Sequence, residues 1–581
     1  MTTALTSVRL IRVLRWCAIT LLLALAIVHL SSTFSTVSVY TLKNAYQDQF
    51  RLYLRYLTVP FPLSIFELEN GHRPVLPALL RWLELTFLHG AQTLQFTTAW
   101  LAALAATGGL LRVVWRDLDG VRVATAICAI AVTVLWNANA RMFIHAYEAT
   151  HVFYIYAALV AAVGLISYGA EVSFKRLAMA GACGVVATFS FGPGIVVFPT
   201  ILCLLVLRRA KIAQIAQTAL LTAAVFVAYS YLLPGADGVR GSSSGFSALS
   251  AAKFVALRFG AYWLELLAGS WPIAEPMRLL TASGSVLVIA LSCQSVVRRW
   301  LRREEFSRST LFAVGLAAFG IVTNAVIAVN RVSHFQANPG DVLAERYLIW
   351  SALLWLGVGL YWLSVPIPRA TLRTSAVAVL AIAVAVVGIQ RANWWRSWAS
   401  STYRIVELTA TAYQRGIEHP HRLVEVATPD MLENNKSVTA LRAAKVMVFG
   451  DDSESWLLRE IGVESASVGL PAFQAWQSPD TGDLPPGSAW RIVGTEIPRL
   501  TAHRLRAAHF WVADAKGRVV GDCARTGSKR EPSDYARYFR PIYNRIDCYV
   551  LREAGSQLRL VSTHHGTASV IGTLTIPESP M

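Results

Sequence analysis

The sequence predicts an all-α polytopic membrane domain of about eleven transmembrane helices, followed by a soluble α/β domain. Three observations carry that expectation. Hydrophobic residues make up 55% of the chain and charged ones only 15%, where soluble domains carry nearer a quarter charged, and the mean hydropathy is +0.46. Apolar runs of bilayer length recur between short basic turns. Beyond residue 390 those runs shorten, and charges, prolines and strand-like stretches take over. The formal charge of +18 would point to nucleic acid in a soluble protein. Here arginines gathered in cytoplasmic turns account for it, and no nucleic-acid partner is expected.

Taken in order, Arg9, Arg12 and Arg15 precede the apolar run Trp16–Leu30. No small-residue cleavage motif follows in SSTFSTVSVY, so the first helix reads as uncleaved and entering from the cytoplasm. Spans fit at 14–33, 92–111, 121–137, 151–170, 177–190, 193–208, 213–233, 277–297, 309–329, 342–365 and 373–390. Basic turns at Arg112–Arg122, Lys175–Arg176, Arg208–Lys211, Arg298–Arg308 and Arg369–Arg373 then all fall on the cytoplasmic side. The outward connections are the long first loop 34–91, the segment 136–151, the stretch 234–276 with an expected interfacial helix, the tight turn TFSFGPG and the loop 330–347. The odd helix count places everything after 390 outward as well. The domains are therefore 1–390 and 391–581, the second with a leading helix at 402–419 and strands at KVMVFG, SAWRIVG, HFWVADAKGRVVGD and IDCYVLRE. Four of the seven cysteines lie inside apolar spans and Cys17 opens the first. Cys523 and Cys548 lie in polar sequence, where a disulfide or two free thiols are both open.

The chemistry concentrates in the outward segments. Asp48 stands among Tyr46, Phe50, Tyr53 and Tyr56, interleaved with Arg51 and Arg55. That suits an aromatic-walled cleft near the membrane surface, against the plainer reading of a solvated loop acid. In ENGHRPVLPALL, Asn70-Gly71 signals a turn and Pro74 a helix start, placing His72 and Arg73 at that start. Arg73 is a phosphate candidate or a cation reaching to headgroups. Glu148 lies between His145 and His151. Their spacing does not put both histidines on one helix face, so metal is not indicated, and an acid that orients substrate is the better reading. Arg141 is a second phosphate candidate. The loop 330–347 adds Arg331, His334, Asp341, Glu345, Arg346 and Tyr347, read either as salt-bridge anchors or as an anion site. No phosphate-cradling glycine loop, CxxC pair or GxSxG elbow occurs.

An inward N-terminus, a large outward first loop carrying an acid, many further helices and an outward C-terminal domain together resemble the GT-C glycosyltransferases. ENGHRPVLPALL, FSFGPGIVVFPTIL and AERYLIWSALLWLGVGLYW are similar to segments of bacterial membrane proteins placed near that superfamily. The resemblance covers most of 1–390 and implies a GT-C-like membrane domain that uses a polyprenyl-phosphate-linked sugar. By the same implication Asp48 is the catalytic acid residue, a base or metal ligand, and Glu148 matches a second-loop acid. Gln47 and Gln49 flank Asp48 where several members carry paired acids, so the use of a divalent metal stays open. The expectation is a multi-pass enzyme of the bacterial inner membrane with a periplasmic C-terminal domain. It would move sugar, with inversion, to a periplasmic glycan, lipid or protein, with His72, Arg73, Arg141, Arg331, Arg346 and Tyr347 holding substrate among membrane lipids. The alternatives are a transporter or flippase of a lipid-linked anion, and a scaffold of an envelope polysaccharide assembly.

Overall fold

The structure, a computed structural model, describes residues 2–168, 171–232, 247–267, 274–365, 370–414, 426, 431–449, 489–496, 509–526, 545–551, 557–564 and 567–575. In chain order its helices begin with α1 (Thr2–Tyr40), α2 (Gln49–Thr58), α3 (Leu63–Phe66), α4 (Val75–Phe87), α5 (Thr93–Asp117) and α6 (Gly120–Ala131). There follow α7 (Ala140–Ile144), α8 (Ala146–Ser167), α9 (Phe174–Thr188), α10 (Val197–Leu207), α11 (Ile212–Val227) and α12 (Ala248–Leu267). The series ends with α13 (Glu275–Leu301), α14 (Arg308–Asn330), α15 (Val332–Ala337), α16 (Leu348–Ser364), α17 (Ala370–Gln414) and α18 (Met431–Ala443). Six strands close the described chain: β1 (Ala489–Glu496), β2 (His509–Ala513), β3 (Val519–Thr526), β4 (Arg545–Leu551), β5 (Gln557–His564) and β6 (Thr567–Thr575).

Among the described residues eight helices are long and apolar enough to cross a membrane, which makes this a multi-pass membrane protein. The segments expected at 121–137, 177–190 and 193–208 fold as α6, α9 and α10, of 12, 15 and 11 residues. Each falls short of the roughly 20 residues that a bilayer crossing takes. On length and composition the described residues thus hold eight candidate crossings, with Gly120–Ala131 and Gly192–Leu207 as shorter apolar helices, and the expected count of about eleven is not confirmed.

The chain divides into two compact units. One holds Met1–Val37, Pro62–Leu80 and Leu94–Arg396; the other holds Ser38–Phe61, Arg81–Thr93 and Ser397–Met581. The first loop is thus shared between them, and α17 runs unbroken through the expected boundary at 390 and the expected separate helix at 402.

In the first unit, side chains close the helix ends. Ser173 and Ser307 accept from the N–H groups of Arg176 and Thr310 at the starts of α9 and α14. Arg176 and Arg208 donate to the last carbonyls around α8, at Tyr168 and Ile166. The helix expected at the interface, α12, is packed into the bundle: Phe259 joins Ile289, Leu354 and Val358 in one core cluster. Its Arg258 is fully buried, donating to the carbonyls of Val342 and Tyr347 and to Asn324 Oδ1.

In the second unit, Gln49 on α2 donates both to Tyr53 Oη at 3.1 Å and to Gln92 Oε1 at 3.0 Å, so the first-loop part of the unit has a bonded polar core. The sheet is antiparallel throughout, in the order β1-β4-β3-β2-β5-β6. Trp511, Ala513, Val519 and Val561 pack on one another in its core. Cys523 and Cys548 stand directly opposite on β3 and β4 and are joined in a disulfide. KVMVFG, expected as a strand, forms a 3₁₀ turn at Met447–Phe449 instead. Lys445 and Met447 take φ of 51° and 57°, which an extended run does not accommodate.

Candidate functional site

In the first unit, the loops at one end of the helices converge: 66–75 ahead of α4, 136–146 ahead of α8, 189–196 ahead of α10, and 331–347 between α14 and α16. The turn after α9 depends on two glycines. A Cβ on Gly194 would lie 1.9 Å from the Ala187 carbonyl oxygen, and one on Gly192 would lie 2.4 Å from His72 Nδ1. The chain therefore folds back on α9 tightly enough to lay Phe191 between two imidazoles. His151 stacks on it at 4.6 Å and His72 meets it edge-on at 4.4 Å. Glu69 and His151, both buried, come within 3.9 Å of each other. Burial, followed by the charge of nearby Arg331, pulls His72 down to about 4, which favours the neutral ring.

Arg73, read from sequence as facing headgroups or phosphate, is fully buried. Its guanidinium donates to the carbonyls of Tyr229 (2.7 Å) and Phe66 (3.0 Å), and its backbone N–H to Tyr229 Oη. Pro74 removes an N–H at the start of α4, so the chain turns there and sends Arg73 inward as a clamp between backbone segments.

Arg141 and Glu148 do meet. The break at His145 lets α7 and α8 face each other, and Arg141 reaches Glu148 at 3.1 Å and Glu345 at 2.8 Å. Both Arg141 and Glu148 are buried, 8% exposed each. In the loop 331–347, Asp341 accepts from Arg346 at 3.0 Å and meets His334 Nε2 at 2.8 Å, all three partly exposed. Three guanidinium groups surround the ring of Tyr347: Arg346 at 5.1 Å, Arg258 at 5.3 Å and Arg331 at 5.6 Å. Arg331 is half-buried and has no carboxylate partner among the described residues.

Asp48 belongs to the second unit. It stands at the N-cap of α2, its side chain 32% exposed and 3.5 Å from Arg51. Gln47 before it takes φ of 51°, a left-handed backbone held by its N–H to the Val426 carbonyl at 2.6 Å. Tyr53 and Tyr56 are buried beneath it in the same helix.

Sequence reasoning did not assign roles to Arg258, Phe191 or the Glu69–His151 pair. A lone arginine in an apolar helical pattern was the signal for the first; ring stacking between distant segments leaves none. Among the described residues no group of three or more His, Cys, Asp or Glu is placed to hold a metal ion. A metal at Asp48 would find amides at Gln47 and Gln49 rather than a second carboxylate, so the neighbouring residues do not make up a divalent site.

Neither a family model nor a curated protein matches the sequence. Among solved structures the chain is similar to the oligosaccharyltransferase of Archaeoglobus fulgidus in its complex with Zn and sulfate, at 12% identity and a TM-score of 0.34 over 72% of this chain and 56% of that one. It is similar also to the archaeal oligosaccharyltransferase AglB of the same organism, in complex with an inhibitory peptide and a dolichol-phosphate, at 12% identity and a TM-score of 0.36 over 73% and 59%. The chain spans less than two thirds of the length of either. Overlap at that TM-score decides neither fold nor activity, and function has to be read from this chain's own residues.

Proposed function

We propose that the protein is a membrane glycosyltransferase that moves a sugar from a polyprenyl phosphate to an acceptor hydroxyl or amide on a glycan, lipid or protein. The observation that carries the reading is Arg331. It is a half-buried guanidinium with no carboxylate partner among the described residues, in a loop cluster where Arg141 and Arg346 are paired with acids. A cation left open beside the neutral ring of His72 suits a phosphate, which guanidinium recognises through charge-assisted hydrogen bonds. The eight long apolar helices among the described residues suit a lipid-borne donor.

Asp48 is the proposed general base. Its carboxylate is accessible, fixed at a helix start and preceded by a residue in a strained backbone conformation, as functional sites often are. It would take the proton of the acceptor as the acceptor atom bonds to the anomeric carbon. The carbon–oxygen bond to the carrier phosphate breaks in the same displacement, inverting the centre. The released phosphate oxygen carries negative charge, and a guanidinium such as that of Arg331 in the first unit's loop cluster recognises that group. Glu148 holds Arg141 in position, and Tyr347 gathers the arginines about its ring. By the alternation of basic turns the loops face the periplasm of a bacterial inner membrane.

The test is transfer of radiolabelled sugar from a panel of polyprenyl-phosphate sugars in membranes. Asp48→Asn should lower transfer about 10²- to 10⁴-fold at unchanged protein level, and Arg331→Gln should raise the donor KM. Full transfer by Asp48→Asn would remove Asp48 from the chemistry. No product from any donor would remove the assignment.

A further inference from the structure

We propose that the paired basic turns at 208–211 and 298–303 bind the phosphate of an anionic phospholipid. They lie at the end of the first unit's helices opposite the loop cluster, where α10 and α13 finish and α11 and α14 start.

The two turns are fastened to each other. Trp300 Nε1 donates to the Val206 carbonyl at 3.1 Å, and Arg209 donates back to the Trp300 carbonyl with its guanidinium 5.8 Å from the indole centre. The joint brings the two basic turns into contact. Within 206–212 and 297–305 there are seven arginines and lysines against two glutamates, so positive charge is in large excess. Some of that charge is used internally: Arg208 closes α8, Arg209 makes the joint, and Arg299 pairs with Glu304 at 2.9 Å.

Lys211, Arg298, Arg302 and Arg303 remain. All four are exposed, and the cationic head of none meets an acceptor among the described residues. Helix ends account for Arg208 and Arg209 and favour Arg298 and Arg302 at the C-terminus of α13, but not Lys211, a cation at the start of α11, or Arg303 beyond the cap. Beside them stand Ile212 at 84% exposure and Leu301 at 66%, with Val206 and Val297 also exposed. Open cations directly next to apolar side chains suit a phosphodiester above acyl chains, as at a bilayer interface, better than a soluble anion. The site is remote from the loop cluster and stands whether or not the chain transfers sugar.

The full chain, reconstituted in nanodiscs of phosphatidylcholine with a minor share of phosphatidylglycerol and then released into neutral detergent, would be examined by native mass spectrometry. Phosphatidylglycerol should be retained over phosphatidylcholine. The combined Lys211→Gln, Arg302→Gln, Arg303→Gln variant should lose that preference by about 100-fold, since each basic residue near an anionic surface contributes about a fivefold effect. Arg122→Gln, another basic turn position, should leave it unchanged. Should the triple variant fail to fold, Lys211→Glu serves alone, because the Lys211 ammonium has no partner to lose. Equal retention of the two lipids, a preference untouched by these variants, or equal competition by inorganic phosphate would each overturn the proposal, the last in favour of a free-anion site.

Discussion

Asp48 meets Arg51 at 3.5 Å with 32% of its side chain exposed, whereas Glu148 meets Arg141 at 3.1 Å with 11% exposed. The residue types are nearly the same, but water separates their roles. Near the surface a carboxylate and a guanidinium screen each other weakly and exchange partners cheaply. The Asp48–Arg51 contact is therefore cheap to rearrange. Buried, the same pairing is costly to break, because each partner would be left as a desolvated charge. Arg141 has two carboxylate partners, the buried Glu148 and the half-buried Glu345, and the arrangement is suited to holding a shape. A half-exposed acid keeps contact with solvent, and a buried one fixes the geometry around it.

Four measurements would break or sharpen that contrast. Arg141→Met strands Glu148 and Glu345 together and should destabilise the first unit by about 3–5 kcal/mol, seen as a large fall in melting temperature in detergent. Adding Glu148→Gln should recover part of it. Next, Cys523→Ser should cost the second unit about 2–4 kcal/mol, read by limited proteolysis of the C-terminal sheet, with no fall in melting of the first unit. A smaller effect concerns His72, whose protonation is held down to about 4 from an ordinary 6.5. Above pH 6.5 folded and unfolded chains are both neutral there and nothing is gained or lost. As pH falls from 6.5 toward 4 the unfolded chain takes up the proton first, so stability drops across that window. His72→Gln should flatten that part of the melting profile, and an unchanged profile would mean that the ring is not shielded. Least of all, Arg51→Gln should change stability by no more than about 1 kcal/mol, and Asp48→Asn likewise. A melting loss for Asp48→Asn as large as that for Arg141→Met would end the distinction.

Much of this molecule could be read along the chain. Apolar run length located helices at every expected span, because crossing a bilayer is a demand on local composition. At α6, α9 and α10 the apolar runs include the turns beside them, so those helices are shorter than the expected spans. The hairpin of β2 and β3 was legible in HFWVADAKGRVVGD, where Asp514 accepts from the N–H groups of Lys516 and Arg518. The cluster residues were legible as residue types, but their partners were not. Nothing local tells that Arg141 reaches Glu345, 204 positions away, or that Arg73 turns inward to Tyr229. Pairing of that kind is decided by which helix ends are neighbours. The sharing of the first loop between two units was equally hidden, since the composition of 34–91 does not change at the points where the chain crosses from one unit to the other.

The fit of the 189–194 turn has a consequence for how this gene could vary. With the Ala187 carbonyl 1.9 Å from any Cβ on Gly194, and His72 2.4 Å from one on Gly192, no side chain at either position is compatible with the turn as built. Gly108 and Gly284 sit in helices with open space where a Cβ would go. A saturation library selected for function should therefore return Gly108 and Gly284 as many residues, and Gly192 and Gly194 only as glycine. Drift in this sequence would then be channelled: the bundle surface free to diverge, the turn beneath the histidine pinned.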